Sequence, residues 1–86
     1  MKKREIIYDM GYDDSIVFDN PNFDEAIIGI TEEGNVVYDY EAMVESLMKQ
    51  DDMDRLEAVE FIDYNTIRAI PYSPDPKPII MHHLYE

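Results

Sequence analysis

The residues best equipped for chemistry in this chain are carboxylates, one histidine pair and a few hydroxyls, so spacing decides what they could do. His82 and His83 could supply a metal ligand or a general base. Adjacent strand residues point to opposite faces, so the two are not expected to aim at one centre. No HxH or HxxxH spacing accompanies them. The densest acid clusters, Asp13-Asp14 and Asp51-Asp52-Met53-Asp54, lack the alternation and the glycine of a calcium loop. Asp75-Pro76-Lys77 has the spacing that ends a D-x-K nuclease motif, but its flanking prolines oppose the strand such a motif needs. Ser15, Ser46 and Ser73 lie near no His–Asp pattern, and Gly11, Gly29 and Gly34 are too isolated to cradle a phosphate. Cysteine is absent, which excludes disulfides and thiolate metal sites. On these grounds the protein is expected to be non-enzymatic, with no cofactor and no metal.

The charge is the strongest signal. Seven Lys and Arg face 20 Asp and Glu, for a net charge of −13 across 86 residues. From Glu5 to Met48 there are 12 acids and no base, so residues 1–48 hold −9 and residues 49–86 hold −4. Such a field repels nucleic acid and anionic membrane and attracts basic surfaces. A hydrophobic fraction of 45% is too high for a disordered acidic tail, so a folded single domain over residues 1–86 is expected. No apolar run reaches the ~18 residues a membrane span requires. The basic N-terminus resembles the start of a signal peptide until Glu5 and Asp9 interrupt the apolar stretch. A soluble cytoplasmic protein is expected.

These residues must be positioned by a small set of elements. Ile6-Ile7-Tyr8 and Ile16-Val17-Phe18 are β-branched and aromatic, which predicts two short strands. Asn20-Pro21-Asn22 is loop chemistry. Ala26 to Thr31 and Asn35 to Tyr38 form the clearest hairpin, with Glu32-Glu33-Gly34 as the turn, Gly34 at positive φ and Gly29 marking a bulge or a close approach. Tyr40, Met43, Val44, Leu47 and Met48 recur at helical spacing behind an Asp39 N-cap. A second helix is predicted from Arg55 to Thr66 or Arg68, with Asp54 and Glu57 as its capping pair and Leu56, Ala58, Val59, Phe61 and Ile62 as its apolar face. Pro71 should end it by pushing Ile70 out of the helical region. A proline-rich connector then leads to a last strand over Ile79–Leu84. The sum is an α+β fold: a small antiparallel sheet of three to five strands with two helices packed on one face. A helix–turn–helix reading fails on charge, because Glu57, Glu60 and Asp63 would face phosphates.

The stretches DNPNFDEAIIGITEEGNVVYDYEAMVESLM and EAVEFIDYNTIRAIPY resemble a group of small acidic proteins of Firmicutes and their phages. The likeness spans residues 16–81 and rests most specifically on EAIIGI, VVYDYE and FIDYNTIRAIPY. It assigns no activity and no catalytic residue. What it implies is context: small acidic proteins of phages and mobile elements often inhibit host machinery that handles nucleic acid, as anti-CRISPR proteins and DNA mimics do.

The expected function is a binding or inhibitor protein that occupies the basic, nucleic-acid-binding surface of a host or defence protein. A CRISPR effector is the most specific candidate partner, and direct binding to nucleic acid or membrane is not expected. The expected contact residues are Asp9, Asp13, Asp14, Asp19, Asp24, Glu25, Glu32 and Glu33, with Tyr12 as an anchor. Alternate strand residues lie ~6.6–6.8 Å apart, comparable to phosphate spacing. A second reading makes the protein a structural or regulatory interaction module, a homodimer, whose acids serve only solubility.

Overall fold

Sheet gives way to helix at residues 39–40, where the hydrophobic period changes from two to about three and a half. In the computed structural model, which describes residues 2–19 and 21–84, the strand β2 (Val36–Asp39) runs straight into the helix α2 (Tyr40–Gln50). Asp39 makes this possible: its carboxylate accepts from the Glu41 and Ala42 N–H groups, which have no partner inside the helix. The helix α3 (Arg55–Phe61) starts in the same way, with Asp54 accepting from the Glu57 N–H at 2.9 Å.

β2 is the centre of a three-stranded sheet. It pairs antiparallel with β1 (Ile27–Ile30) and parallel with β3 (Ile79–Met81). The sheet is therefore mixed, not antiparallel as expected. The cause is the long crossover between β2 and β3, which contains both α2 and α3. A chain that makes such a crossover can re-enter beside β2 in the same direction, which a tight turn cannot do. Val36 and Tyr38 of β2 and Ile27 of β1 point inward, onto Met43, Val44 and Leu47 of α2 and onto Ala58 and Ile62. Leu56, expected in the apolar face of α3, stands 67% exposed.

Two expected strands are absent. Residues 3–9 form the helix α1 (Lys3–Asp9) despite the adjacent isoleucines. Lys3, Arg4 and Ile7 recur at helical spacing and share a side. Ile7 is buried, and Lys3 and Arg4 bond to residues between Phe18 and Ile27. Tertiary contacts thus outweigh the weak strand preference. Residues 16–18 belong to no strand. Side chains satisfy the backbone of Phe18 instead: its N–H donates to the Tyr38 hydroxyl and its carbonyl accepts from Arg4.

The helical winding after Phe61 also departs from expectation. It continues as a π turn (Ile62–Thr66) and then a 3-10 segment (Ile67–Tyr72) that contains Pro71. α-type hydrogen bonding has already ended at Phe61, and because proline's fixed φ lies within the 3-10 range, Pro71 is accommodated in the coil that follows.

The glycines at the hairpin have opposite requirements. Gly34 sits at φ +90°, and an added Cβ would come within 3.3 Å of Pro76 Cγ. Gly29 marks the register shift against β2, yet a Cβ there would meet nothing within 4 Å. Gly34→Ala is expected to cost about 1–2 kcal/mol, and Gly29→Ala to add about 0.4–1 kcal/mol by restricting the unfolded chain. Urea denaturation of the two variants checks this. A shift of both variants in the same direction would contradict these assignments.

Candidate functional site

The acids that could meet a basic partner lie on turns, not on strands. Within β1 and β2 the one carboxylate is Asp39, so phosphate mimicry by alternation along a strand has no foothold in this hairpin.

Three turns converge on Gly34. The turn after α1 presents Asp13 and Asp14, and its Ser15 hydroxyl donates to the Gly34 carbonyl at 2.7 Å. The β1–β2 turn presents Glu32 and Glu33 beside Gly34. Asp75 precedes Pro76, whose ring also faces Gly34. Asn35 Nδ2 donates to the Lys77 carbonyl at 2.8 Å and ties this connector to the hairpin. Asp13, Asp14, Glu32, Glu33 and Asp75 are all exposed. Lys77 answers Asp75 at 3.0 Å, while Asp13, Asp14, Glu32 and Glu33 have no ion-pair partner among the described residues. Asp9 closes α1 just before this pole and is likewise unpaired among them. Tyr12 is half-buried, packs against the core and lies against Gly34, so it buttresses the pole.

Three other expected contact residues lie elsewhere. Arg4 Nε donates to Asp24 Oδ2 at 2.6 Å, and Arg4 Nη1 donates to Asp19 Oδ1 at 2.7 Å. This fork fastens α1 to the segment before β1. The two carboxylates, Asp24 above all, hold the Arg4 guanidinium well above its ordinary pKa. The other oxygen of Asp24, Oδ1, is buried with no hydrogen-bond partner among the described residues. Glu25 borders one cleft with Lys2 and Lys3 and another with Lys49. Most of the bases in the chain's first two thirds therefore surround residues 22–25. The turns around Gly34 thus carry four carboxylates without an ion-pair partner among the described residues, and the exposed Asp51, Asp52 and Asp54 between α2 and α3 likewise have none among them.

The histidines form a second cluster that sequence reasoning missed. Because β3 stops at Met81, His82 and His83 do not follow strand alternation. Both reach the start of α2: the His82 ring lies 4.5 Å from the Tyr40 ring, and His83 Nε2 lies 2.9 Å from Asp39 Oδ2. The Tyr40 hydroxyl donates to Asp63 at 2.9 Å, and Arg55 binds both oxygens of Glu41. His83, followed by burial acting in the opposite sense, sets the Asp39 pKa, and the net result is a carboxyl below its usual range. Burial and the neighbouring Asp63 push Tyr40 up to about 12. These groups have structural tasks: Asp39 divides its oxygens between the helix cap and His83, and Tyr40 joins α2 to Asp63. A Tyr that ionises near 12 is poorly suited to proton transfer at neutral pH. The helical residue order Asp39-Tyr40-Glu41 was legible, but its meeting with residues 82 and 83 depends on where β3 ends.

Among the described residues no group of three or more His, Asp or Glu is arranged to hold a metal ion, and no helix is long and apolar enough to cross a membrane. Comparison with protein-family models, with curated proteins and with solved structures gives no match.

Proposed function

We propose that this protein is a non-enzymatic binding protein whose acidic pole occupies a basic, nucleic-acid-binding surface of another protein. The observation that supports this reading is the convergence of three acidic turns on Gly34, with Asp13, Asp14, Glu32 and Glu33 unpaired among the described residues. Carboxylates packed together repel one another, and a cationic surface relieves that repulsion while gaining complementarity. The contact set narrows to Asp9, Asp13, Asp14, Glu32 and Glu33, because Asp19 and Asp24 are engaged by Arg4 and Glu25 sits among lysines. An RNA-guided effector suits the narrower form of the proposal, since its guide–target duplex lies in a positively charged channel.

The test is competition. A purified nucleic-acid-binding protein with a basic channel is titrated with this chain at low and high salt, and duplex DNA is then added. Binding should weaken as salt rises, and DNA should displace the chain. The variant Asp13→Asn/Asp14→Asn/Glu32→Gln/Glu33→Gln should bind at least about tenfold more weakly, with a shallower salt dependence. Unchanged affinity and salt slope in that variant would defeat the proposal.

A further inference from the structure

The turn that carries Asp13 and Asp14 follows α1, and the turn that carries Glu32 and Glu33 follows β1. Both elements therefore deliver their C-terminal ends to the acidic pole. Between them lies a groove of about 200 Å³ bordered by Ile6 of α1, by Met10 at its C-cap and by Ile28 and Ile30 of β1. Ile6 is 43% exposed, Met10 58% and Ile28 53%, so its walls hold apolar side chains that the fold leaves facing solvent. Grouped exposure of this kind is unusual on a strongly charged small domain and marks an interaction surface more often than scattered single residues do.

We infer that the α1–β1 groove receives apolar side chains from a basic, amphipathic segment of the partner, whose Lys or Arg residues lie over the acidic pole. The inference rests on the function proposed above and adds a hydrophobic anchor to it. Three observations select this occupant. The volume falls below the ~300 Å³ at which small-molecule sites usually begin, so it suits side chains better than a cofactor. The groove itself is lined by Lys3 and apolar residues, but the turns that follow its two walls carry Asp13, Asp14, Glu32 and Glu33, which favour a cationic flank, and a net charge of −13 opposes a second copy of the chain. The edge of β1 is guarded: Lys3 Nζ donates to the Ile27 carbonyl at 2.6 Å, and the register breaks at Gly29. These features discourage strand addition and leave side-chain insertion as the mode of contact.

Two synthetic helical peptides of equal length and charge test the inference, one with Lys and Leu, the other with Lys and Ser in place of every Leu. Calorimetric titration should show the Lys/Leu peptide binding about tenfold tighter to the wild-type chain. Met10→Ser/Ile28→Ser should abolish that difference while preserving the salt-sensitive binding of the Lys/Ser peptide. Both replaced residues are more than half exposed, so the variant should melt as the wild type does. If it does not, Ile6→Ser alone supplies the comparison, with a smaller drop in the same ratio. Equal binding of the two peptides to wild type, or a difference that survives in a folded variant, overturns the inference while leaving the electrostatic reading in place. Failure of both peptides to bind in a salt-sensitive manner overturns that reading and the inference with it. A dimer in sedimentation equilibrium that Met10→Ser/Ile28→Ser disperses would assign the groove to a second copy and also overturn the inference.

Discussion

Phe23→Ala is expected to lower the unfolding free energy by about 3–5 kcal/mol. The ring is 0% exposed and packs edge-on against Phe18, with centroids 6.0 Å apart and planes at 87°. Its loss removes both the transfer energy of an aromatic side chain and the contacts of a filled site. Phe23 also borders a surface cleft lined by Phe18, Pro21 and Phe61, so truncation would extend that cleft into the core. A domain of this size has roughly 4–13 kcal/mol of stability in total, at about 0.05–0.15 kcal/mol per residue. The variant should therefore be marginal, and at the lower bound unfolded. Because Asp24, the next residue, anchors Arg4, the damage should spread to the docking of α1 and the adjoining wall of the groove. Leu56→Ala, at a position 67% exposed, should change stability by no more than about 0.5 kcal/mol. Parallel urea titrations of the two variants make the comparison, and a Phe23→Ala loss below about 1 kcal/mol would contradict the packing argument.

Alkali should unfold the protein more readily than its acidity suggests, and Tyr38 should be a principal reason. Tyr38 is 0% exposed at the centre of the sheet, and burial pushes its pKa to about 12 against a usual value of 10.0. A raised folded value means that the unfolded chain ionises first as pH rises. The associated stability is fully present below about pH 10 and is lost progressively toward about pH 12. Two pKa units correspond to about 3 kcal/mol. Tyr40, also raised to about 12, adds to the loss in the same window, but less securely because it is only half-buried. Tyr38→Phe should separate the contributions. At neutral pH it should cost about 1 kcal/mol, because the Phe18 N–H loses its acceptor. Between about pH 10 and 12 its stability should fall less steeply than that of the wild type. Urea midpoints across that range test this. Parallel profiles would show that Tyr38 does not drive the transition.

The features legible in the sequence are those set by neighbours along the chain. Asp39 and Asp54 cap helices because their carboxylates reach N–H groups two or three residues away. Gly34 takes positive φ because the turn it closes is only a few residues long. Met43, Val44 and Leu47 are buried as helical spacing requires, and an α+β fold follows from that order of patterns. Where local preference was weak or its partner distant, the reading diverged. Ile6-Ile7 favoured a strand on β-branching alone, whereas Arg4, Lys3 and Ile7 gain more by facing residues 18–27 from one side of a helix. The helical spacing of those three was the available signal. The stretch 16–18 has strand-like residues, but Arg4 and Tyr38 satisfy the backbone of Phe18 from afar. Pro71 signals a stop in the sequence, yet its fixed φ is compatible with the tighter coil that contains it.

For the candidate site the division is similar. Composition by itself determined the sign of the field and excluded thiol chemistry, because charge and residue identity need no fold. Tertiary structure decided which acids stand together. Asp13, Asp14, Glu32, Glu33 and Asp75 are scattered over more than sixty positions, and they meet because the Ser15 and Asn35 side chains and the Pro76 ring gather their turns around Gly34. Asp19 and Asp24, indistinguishable from them in sequence, are instead engaged by Arg4. Along the chain a carboxylate carries the same charge everywhere; only the position of the cations, set by long-range packing, determines which of those charges remains available to a partner.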